Sequence, residues 1–562
     1  MTFCAMASGF VRSRALVLLQ ALDAATLDLA EAVGLAAHLY AIATQLLLNE
    51  GTARLKTRRD PPAAAASARA LLASLAGLSP DLEAAALYWT LIGALRTLEA
   101  FICVPPDAPP TRPGALPRVT RLEELPAGDF RGISGDVHHW IRPHSALAVL
   151  RERRFQEASA VAPDPEPHPG TYLQRLAMHW DSDPQLPRVR RAKGSVILQS
   201  SFAESGLEVR DGKSFKLALC PLPGPFHPRF EIERQEGGRF RAVTTGDPMH
   251  GGLELRAHLG EVVAAADAAG VRLLLFPELT IDVPAREWLA GLLAEGAARR
   301  RSLCGVVPGS FHVAAAGSGQ PPEPPVNRAM LLDAAGRPAL EHRKKGRFRI
   351  LSRDVVARRD LFPSRPPDSE LKREIFEDIR YGSELEILDT PLGRLALLIC
   401  ADAIAMDDRG YLPAIRRLRP DLLLVIAMTP ETEPFEAFAL EMSRFWIGTL
   451  FVNAHCICPA PPSGLVGAAS RRLRRLLRLP APGSHRNLAA CNLAVHETQG
   501  APPTLSRWRF GAPEPECYFF HPVDGKRRGW RPLSRAPGET GVSLLRTGTE
   551  SVGLVVDLGV HG

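Results

Sequence analysis

The chain has 562 residues, 46% of them hydrophobic and 23% charged. That balance excludes a mostly disordered chain, a collagen-like fibre and a disulfide-stapled mini-protein, and the length asks for about two to four domains. The formal charge of +7 is small for the length, and 60 of the 68 basic residues are Arg against 8 Lys; this bias fits a GC-rich coding sequence and gives no ground for a nucleic-acid partner.

Nine cysteines run from Cys4 to Cys517 without the spacing of a disulfide framework or a zinc site. Cys456 and Cys458 form the single close pair and read as buried residues, so no metal is expected. Arg12 and Arg14 precede an apolar stretch that Asp23, Asp28 and Glu31 soon interrupt, unlike a cleavable signal peptide. The apolar run Ala84–Leu95 falls short of the roughly 20 residues that span a bilayer. The setting expected is cytoplasmic, with no membrane partner.

In chain order, the first elements read as helices. Ala15–Asn49 is rich in Leu and Ala, with Gly51 as its stop; Ala63–Ala76 precedes Gly77; a third runs from Pro80 to about Ile102, and Pro105–Pro113 breaks it. The segment HHWIRPH (138–144) reads as a polar loop around an aromatic anchor, and Pro163–Pro169 as part of a linker. Residues 1–205 are thus expected to be a mainly α-helical region with no catalytic constellation.

Near residue 213 the texture changes. Phe215–Leu222 reads as a strand, and Leu253–Ala269 as an amphipathic helix with apolar positions 255, 259, 262, 263 and 266, stopped by Gly270. Val271–Phe276, Leu395–Ile399 and Leu422–Ala427 are short, nearly continuous apolar runs, the pattern of strands buried on both faces. Ser551–Leu558 closes the series. Strands alternating with helices make this an α/β region over 213–562.

Two of these strands end in reactive residues. Val271–Phe276 leads into Glu278, and Leu395–Ile399 into Cys400 and Asp402; ligands in α/β sheets favour the carboxyl ends of strands. Between them lie Lys344 and Lys345, adjacent lysines in a chain with eight, as expected where a primary ammonium rather than a planar guanidinium is needed. A thiol, a carboxylate and an ammonium form a coherent nucleophilic set. The carboxylate takes the thiol proton, and the ammonium steadies the oxyanion formed when the thiolate attacks a carbonyl. Singly, each residue has a plainer reading as a core thiol, a paired acid or a surface cation.

The order and context of these residues resemble the nitrilase, or carbon–nitrogen hydrolase, superfamily. LLLFPELTI (273–281) is similar to the family's strand bearing the general-base Glu, HRKKGRF (342–348) to its Lys segment, and GSELEILDTPLGRLALLICADA (382–403) to the stretch leading into its nucleophile. RPDLLLVIAM (419–428), the helix near Phe435–Phe445, FVNAHC (451–456), HPVDG (521–525) and ESVGLVVDL (550–558) resemble later family elements. The resemblance implies a four-layer αββα sandwich over residues 213–562. It implies Cys400 as nucleophile, Glu278 as general base, Lys344 as oxyanion stabiliser and the backbone N–H of Ala401 as a second oxyanion donor. It also implies an acyl-enzyme mechanism without cofactor, and homo-oligomers of dimers or higher.

The pattern departs from the family in places. Lys345-Gly346-Arg347 replaces the His-Leu pair after the Lys, and Ala401 replaces an aromatic residue after the nucleophile. A second supporting Glu is not assigned: Ser352 falls near its usual spacing, and Glu370, Glu374 and Glu377 lie further on. Insertions are expected near 223–251, as a long polar loop, and near 349–380 and 459–516. The last contains SRRLRRLLRLP (470–480), read as a solvated basic helix or an arm over the site. The activity implied is hydrolysis of a non-peptide C–N bond in a small molecule, an amide ahead of a nitrile, with acyl transfer open by the same intermediate. The lipoprotein N-acyltransferase branch is disfavoured for want of membrane helices, and a glutamine-dependent synthetase for want of a Gly-rich phosphate loop. The alternative of a different class is a regulatory protein whose hydrolase-like domain binds a small molecule while residues 1–205 contact a protein partner.

Overall fold

Strands form where the sequence is Leu- and Val-rich without interruption, and in the computed structural model these runs are the buried centres of two large mixed sheets. The structure describes residues 29–50, 80–103, 137–141, 168–193 in part, 198, 215–222, 229–243 in part, 253–314, 324–357, 361–404 in part, 411–454 in part, and the strands between 488 and 557. The chain divides into two units, Met1–His144 with Ser159–Val189 and Pro413–Arg419, and the remainder.

In the first unit, helices Leu29–Glu50 and Pro80–Cys103 pack against each other. Their buried Leu, Ala and aromatic residues, among them Leu39, Tyr40, Tyr88 and Leu91, share one core with Leu176 and Trp180. The strand Val137–Ile141 pairs antiparallel with Leu176–Trp180. This corrects the loop expected for 138–144: Val137, Trp140 and Ile141 are strand formers, and the His pair between them does not outweigh them. The expected helix 63–76 and the Pro-rich stretches 105–113 and 163–167 lie outside the described residues.

In the second unit, an eight-stranded sheet runs in the order Pro338–Arg343, Val326–Asp333, Gly305–Val307, Val271–Leu275, Lys216–Leu219, Glu550–Asp557, Val542–Thr547, with Ser310–Val313 paired to Val326–Asp333. Helix Leu253–Ala268 lies against this sheet through Leu255, Leu259, Val262, Val263 and Ala266, the face its spacing predicts. Full burial of one such Leu or Val contributes about 1.5–3 kcal/mol. Helix Val283–Gly296 packs beside it, its start fixed by Asp282, whose carboxylate accepts from the Ala285 N–H at 3.0 Å.

The nine-stranded sheet has Arg394–Ile399, Leu422–Ala427 and Gly448–Asn453 as a parallel centre. Strands Leu488–Asn492, Leu505–Arg509, Glu516–Val523 and Arg527–Pro532 extend it on one side, Glu384–Asp389 and Arg188–Lys193 on the other. All six side chains of Arg394–Ile399 and of Leu422–Ala427 are buried, as two-faced burial requires. Helix Glu433–Ser443 packs on Gly448–Asn453, and the edge strand Pro338–Arg343 of the first sheet meets Glu384–Asp389 and Arg394–Ile399 of the second.

Two expected insertions prove structured. The polar loop 223–251 contains an antiparallel hairpin, Arg229–Glu233 with Arg239–Val243, which joins Arg349–Leu351 and Glu374–Glu377 in a four-stranded sheet. Its strands alternate: Phe230, Ile232, Phe240 and Ala242 are buried between charged neighbours, a period of two that its many polar residues obscure. The segment 459–516 supplies strands Leu488–Asn492 and Leu505–Arg509 to the large sheet, so that part is not an appendage. The basic stretch 470–480 and Cys456 and Cys458 lie outside the described residues. Among those residues, no helix is long and apolar enough to cross a membrane.

Candidate active site

Glu278, Lys344 and Cys400 come from three segments separated by more than fifty residues each, and their side chains meet. The Lys344 ammonium donates to Glu278 Oε1 at 2.7 Å, and the Cys400 thiol lies beside the Glu278 carboxylate. All three are about 1% exposed, so their interaction is governed by one another and not by solvent.

Strand ends set this geometry. Glu278 follows Val271–Leu275, bridges to Ser310 in parallel fashion, and is followed by Leu279 at φ +54°. Lys344 leaves the strand Pro338–Arg343, with its N–H on the Asn327 carbonyl at 2.9 Å and its carbonyl accepting from the Gly382 N–H at 2.8 Å. Cys400 follows Arg394–Ile399 at φ +45°, its N–H on the Ile426 carbonyl at 2.8 Å, and opens the helical turn Ala401–Ile404. Left-handed backbone at two non-glycine residues costs free energy, and here it turns Glu278 and Cys400 out of their strands towards each other.

A third charged residue joins them. Glu377, at the end of Glu374–Glu377, accepts from Lys344 Nζ at 2.6 Å on one oxygen and from Asn327 Nδ2 at 2.8 Å on the other. The same Asn327 nitrogen reaches Glu278 at 3.0 Å. Glu377 also receives the Phe348 N–H at 3.0 Å and lies 2.9 Å from His312 Nε2. Glu278 takes a further hydrogen bond, from the Met428 N–H at 3.0 Å. The loop carrying Met428 is clamped by Asn453, which accepts from the Thr429 N–H and donates to the Thr429 carbonyl, both at 2.9 Å.

One ammonium thus faces two carboxylates and a thiol. Burial is the largest influence on Glu278 and pushes its carboxyl up; Lys344 opposes this and the Glu377 charge adds to it, leaving it raised. Burial also pushes Glu377 up, but the Lys344 ammonium and the His312 hydrogen bond outweigh it and hold Glu377 well below the usual carboxylate range. Burial works against charge on Lys344, and the two carboxylates more than restore it. Burial and then the Glu278 charge push the Cys400 thiol up. The resting arrangement is a neutral thiol beside a carboxylate of raised proton affinity, with Glu377 as the standing counter-ion of Lys344. Chemically, such a set can move a proton from sulfur to Glu278 and hold a fixed positive charge nearby.

Asp402 ties the nucleophile segment to the lysine segment. Its Oδ1 accepts from the Lys345 and Gly346 N–H groups at 2.9 and 2.7 Å, and its Oδ2 lies 2.8 Å from His342 Nε2. Gly346 fits there because any Cβ would come within 2.9 Å of the Ala401 Cβ. A separate hollow of about 310 Å³, walled by Arg190, Glu341, Arg343, Tyr381 and Glu386, has none of Glu278, Lys344, Glu377 or Cys400 in its lining. Among the described residues, no group of three or more His, Cys, Asp or Glu side chains could hold a metal ion.

Sequence reasoning left Glu377 unassigned and missed Asn327 and His312. Spacing could not find Glu377, because 33 positions separate it from Lys344 and a helix intervenes. Asn327 left a faint signal at most, as a fully buried amide near the start of the strand Val326–Asp333.

No family model and no curated protein matches the chain. Among solved structures, it is similar to the NitN amidase from Nesterenkonia sp. AN1, with 18% identity, 61% of this chain and 92% of that one covered, and a TM-score of 0.28. A mutant of the Nesterenkonia AN1 amidase from the nitrilase superfamily gives 16%, 60%, 93% and 0.28. A further mutant, with the acetamide moiety of fluoroacetamide added covalently at its active-site cysteine, gives 18%, 60%, 92% and 0.28. Likeness this slight carries no argument for fold or activity here.

Proposed function

We propose that the chain is a carbon–nitrogen hydrolase that cleaves a small-molecule amide through a cysteine acyl-enzyme, using a nitrilase-type αββα domain over residues 213–562. The observation that carries this reading is the buried contact of Glu278 with both the Lys344 ammonium and the Cys400 thiol. In the mechanism, Glu278 takes the Cys400 proton as sulfur attacks the carbonyl carbon. The oxyanion is held by Lys344 Nζ and the Ala401 N–H, each such donor contributing about 10²–10³ in rate. The C–N bond breaks as Glu278 returns the proton to the leaving nitrogen, releasing ammonia or an amine. Glu278 then deprotonates water, which attacks the thioester; the C–S bond breaks and the thiolate regains a proton from Glu278. Nitrile hydrolysis or acyl transfer to an amine would use the same residues. Cytoplasmic homo-oligomers, with residues 1–205 serving a protein partner, complete the proposal.

The test is intact-mass spectrometry of wild type and Cys400→Ala after incubation with a panel of small amides and nitriles, with ammonia read in parallel. An acyl adduct and ammonia are expected with wild type alone. Equal release by both proteins, or no wild-type adduct even with a broad thiol-reactive probe, would remove Cys400 as nucleophile and favour the binding-module reading.

A further inference from the structure

The geometry points to His312 as a positioning residue, its tautomer set by the inserted hairpin, which acts through Glu377 to fix Lys344; this rests on the roles proposed above for Glu278, Lys344 and Cys400. His312 lies in Ser310–Val313 with its side chain 1% exposed. Its Nδ1 accepts the Ala242 N–H at 2.9 Å, so that nitrogen carries no proton. The ring proton is therefore on Nε2, which lies 2.9 Å from Glu377 Oε1 and must donate to it.

That bond completes the fixing of Glu377. Oε1 receives His312 and Asn327, and Oε2 receives Lys344 and the Phe348 N–H, so both oxygens are held in a set plane. Without the His312 donor, Oε1 would keep only an Asn327 nitrogen that it shares with Glu278. Lys344 Nζ sits between Glu278 Oε1 at 2.7 Å and Glu377 Oε2 at 2.6 Å, so a turned Glu377 shifts the ammonium.

The hairpin holds both ends of the His312–Glu377 bond. Its strand Arg239–Val243 presents the Ala242 N–H to the ring and pairs in parallel with Glu374–Glu377, placing Phe240 beside Glu377. On either side of Glu377, the Phe376 N–H reaches the Gly238 carbonyl and the Asp378 N–H the Phe240 carbonyl, both at 2.8 Å. The segment that sequence alone suggests is a loose polar loop is thus a two-point brace for the charge behind Lys344.

Two variants separate positioning from folding. His312→Leu removes both ring interactions, while His312→Gln keeps an amide donor for Glu377. Single-turnover acylation of Cys400 in His312→Leu is expected to slow by about tenfold to a hundredfold, the cost of one hydrogen bond to a buried charge, with KM within about threefold. His312→Gln is expected to recover to within about threefold of wild type. For a substrate-independent readout, the same comparison is made on the rate of Cys400 alkylation by iodoacetamide, and the His312 tautomer is read by ¹⁵N NMR of histidine-labelled wild type at pH 7. Wild-type rates in a folded His312→Leu, equal loss in both variants, or a proton on Nδ1 would each overturn the proposal. If wild-type Cys400 alkylates no faster than Cys220 and Cys304, the hydrolase reading fails; the ring's tautomer and its bond to Glu377 are still decided by NMR.

Discussion

The strand Arg394–Ile399 has a buried ion cluster at each end, and the two are built differently. At its start, the buried Arg394 places Nε 3.2 Å from Asp389, which also receives Arg191 at 2.7 Å, while the Arg394 N–H serves Asp421 at 2.7 Å. Gly393, at φ +151°, leaves room for that aspartate, whose oxygen a Cβ would approach to 2.9 Å. At the strand's other end, about 20 Å away at the usual rise per residue, Cys400 joins two carboxylates that share one ammonium. Asp389 has two guanidinium partners; Lys344 has two carboxylate partners. The difference teaches that burial of charge does not by itself mark a reactive site. An excess of acid beside a thiol does, because burial, with the Glu377 charge added to it, raises the proton affinity of Glu278 against the pull of the single ammonium.

The largest effects should come from breaking each cluster at its cation. Lys344→Met leaves Glu278 and Glu377 buried without compensation and is expected to lower unfolding free energy by about 3–5 kcal/mol and abolish turnover. Arg394→Met leaves Asp389 its second guanidinium and should cost about 1–3 kcal/mol while turnover persists wherever the protein is folded. Urea unfolding and ammonia release measure both. A folded Arg394→Met that is inactive would show the two ends of the strand to be one functional unit.

The two carboxylates should then respond to pH with opposite sign. Glu377 is held below its ordinary value, so it adds stability above the unfolded carboxyl pKa, and this is lost as pH falls through its folded value. Glu278 is raised, so the fold is unpenalised while it is protonated and loses stability as pH rises from the unfolded towards the folded value. At pH 7, Glu377→Gln should therefore lower stability by about 1–3 kcal/mol, whereas Glu278→Gln should leave it unchanged or higher. The gap between the variants should narrow from pH 7 towards pH 3. Both should lose turnover by about a hundredfold or more, since one loses the base and the other the counter-ion of Lys344. Melting temperatures across that pH range test the sign; equal losses in both variants would mean the carboxylates share their charge evenly.

Much of this was readable from the chain, for physical reasons. Continuous apolar runs such as Leu422–Ala427 can be buried on both faces only in a sheet centre, and the helix after residue 253 shows its buried face by its spacing. Glu278 and Cys400 stood out because each follows such a strand, and Lys344 because it stands beside Lys345 in a chain with eight lysines. Glu377 and His312 did not, because their roles arise from tertiary pairing: the parallel register of Glu377 with Phe240 and the reach of Ala242 to His312 leave no trace in local pattern. The hairpin was hidden for a related reason. Its alternation is carried by four apolar residues among many charges, and a half-exposed strand of that kind resembles a polar loop.

The smallest effect tests whether Asp402 belongs to the charge balance or only to the shape of the site. Three donors converge on it, from Lys345, Gly346 and His342, and none of them is a lysine or arginine side chain. If its task is to hold the backbone after Lys344, an amide should serve nearly as well. In Asp402→Asn, Oδ1 can keep both N–H groups, and His342 can turn to accept from the new Nδ2 by moving its own ring proton to Nδ1. Asp402→Asn should therefore cost about 1 kcal/mol or less and leave turnover within about threefold. Asp402→Ala strands three buried partners and should cost about 2–3 kcal/mol, with a clear fall in turnover as the Lys344 loop loosens. Thermal melts and ammonia release on the two variants separate the cases. If Asn is as damaging as Ala, the negative charge of Asp402 itself matters, and the acid excess around Lys344 must be counted over three carboxylates instead of two.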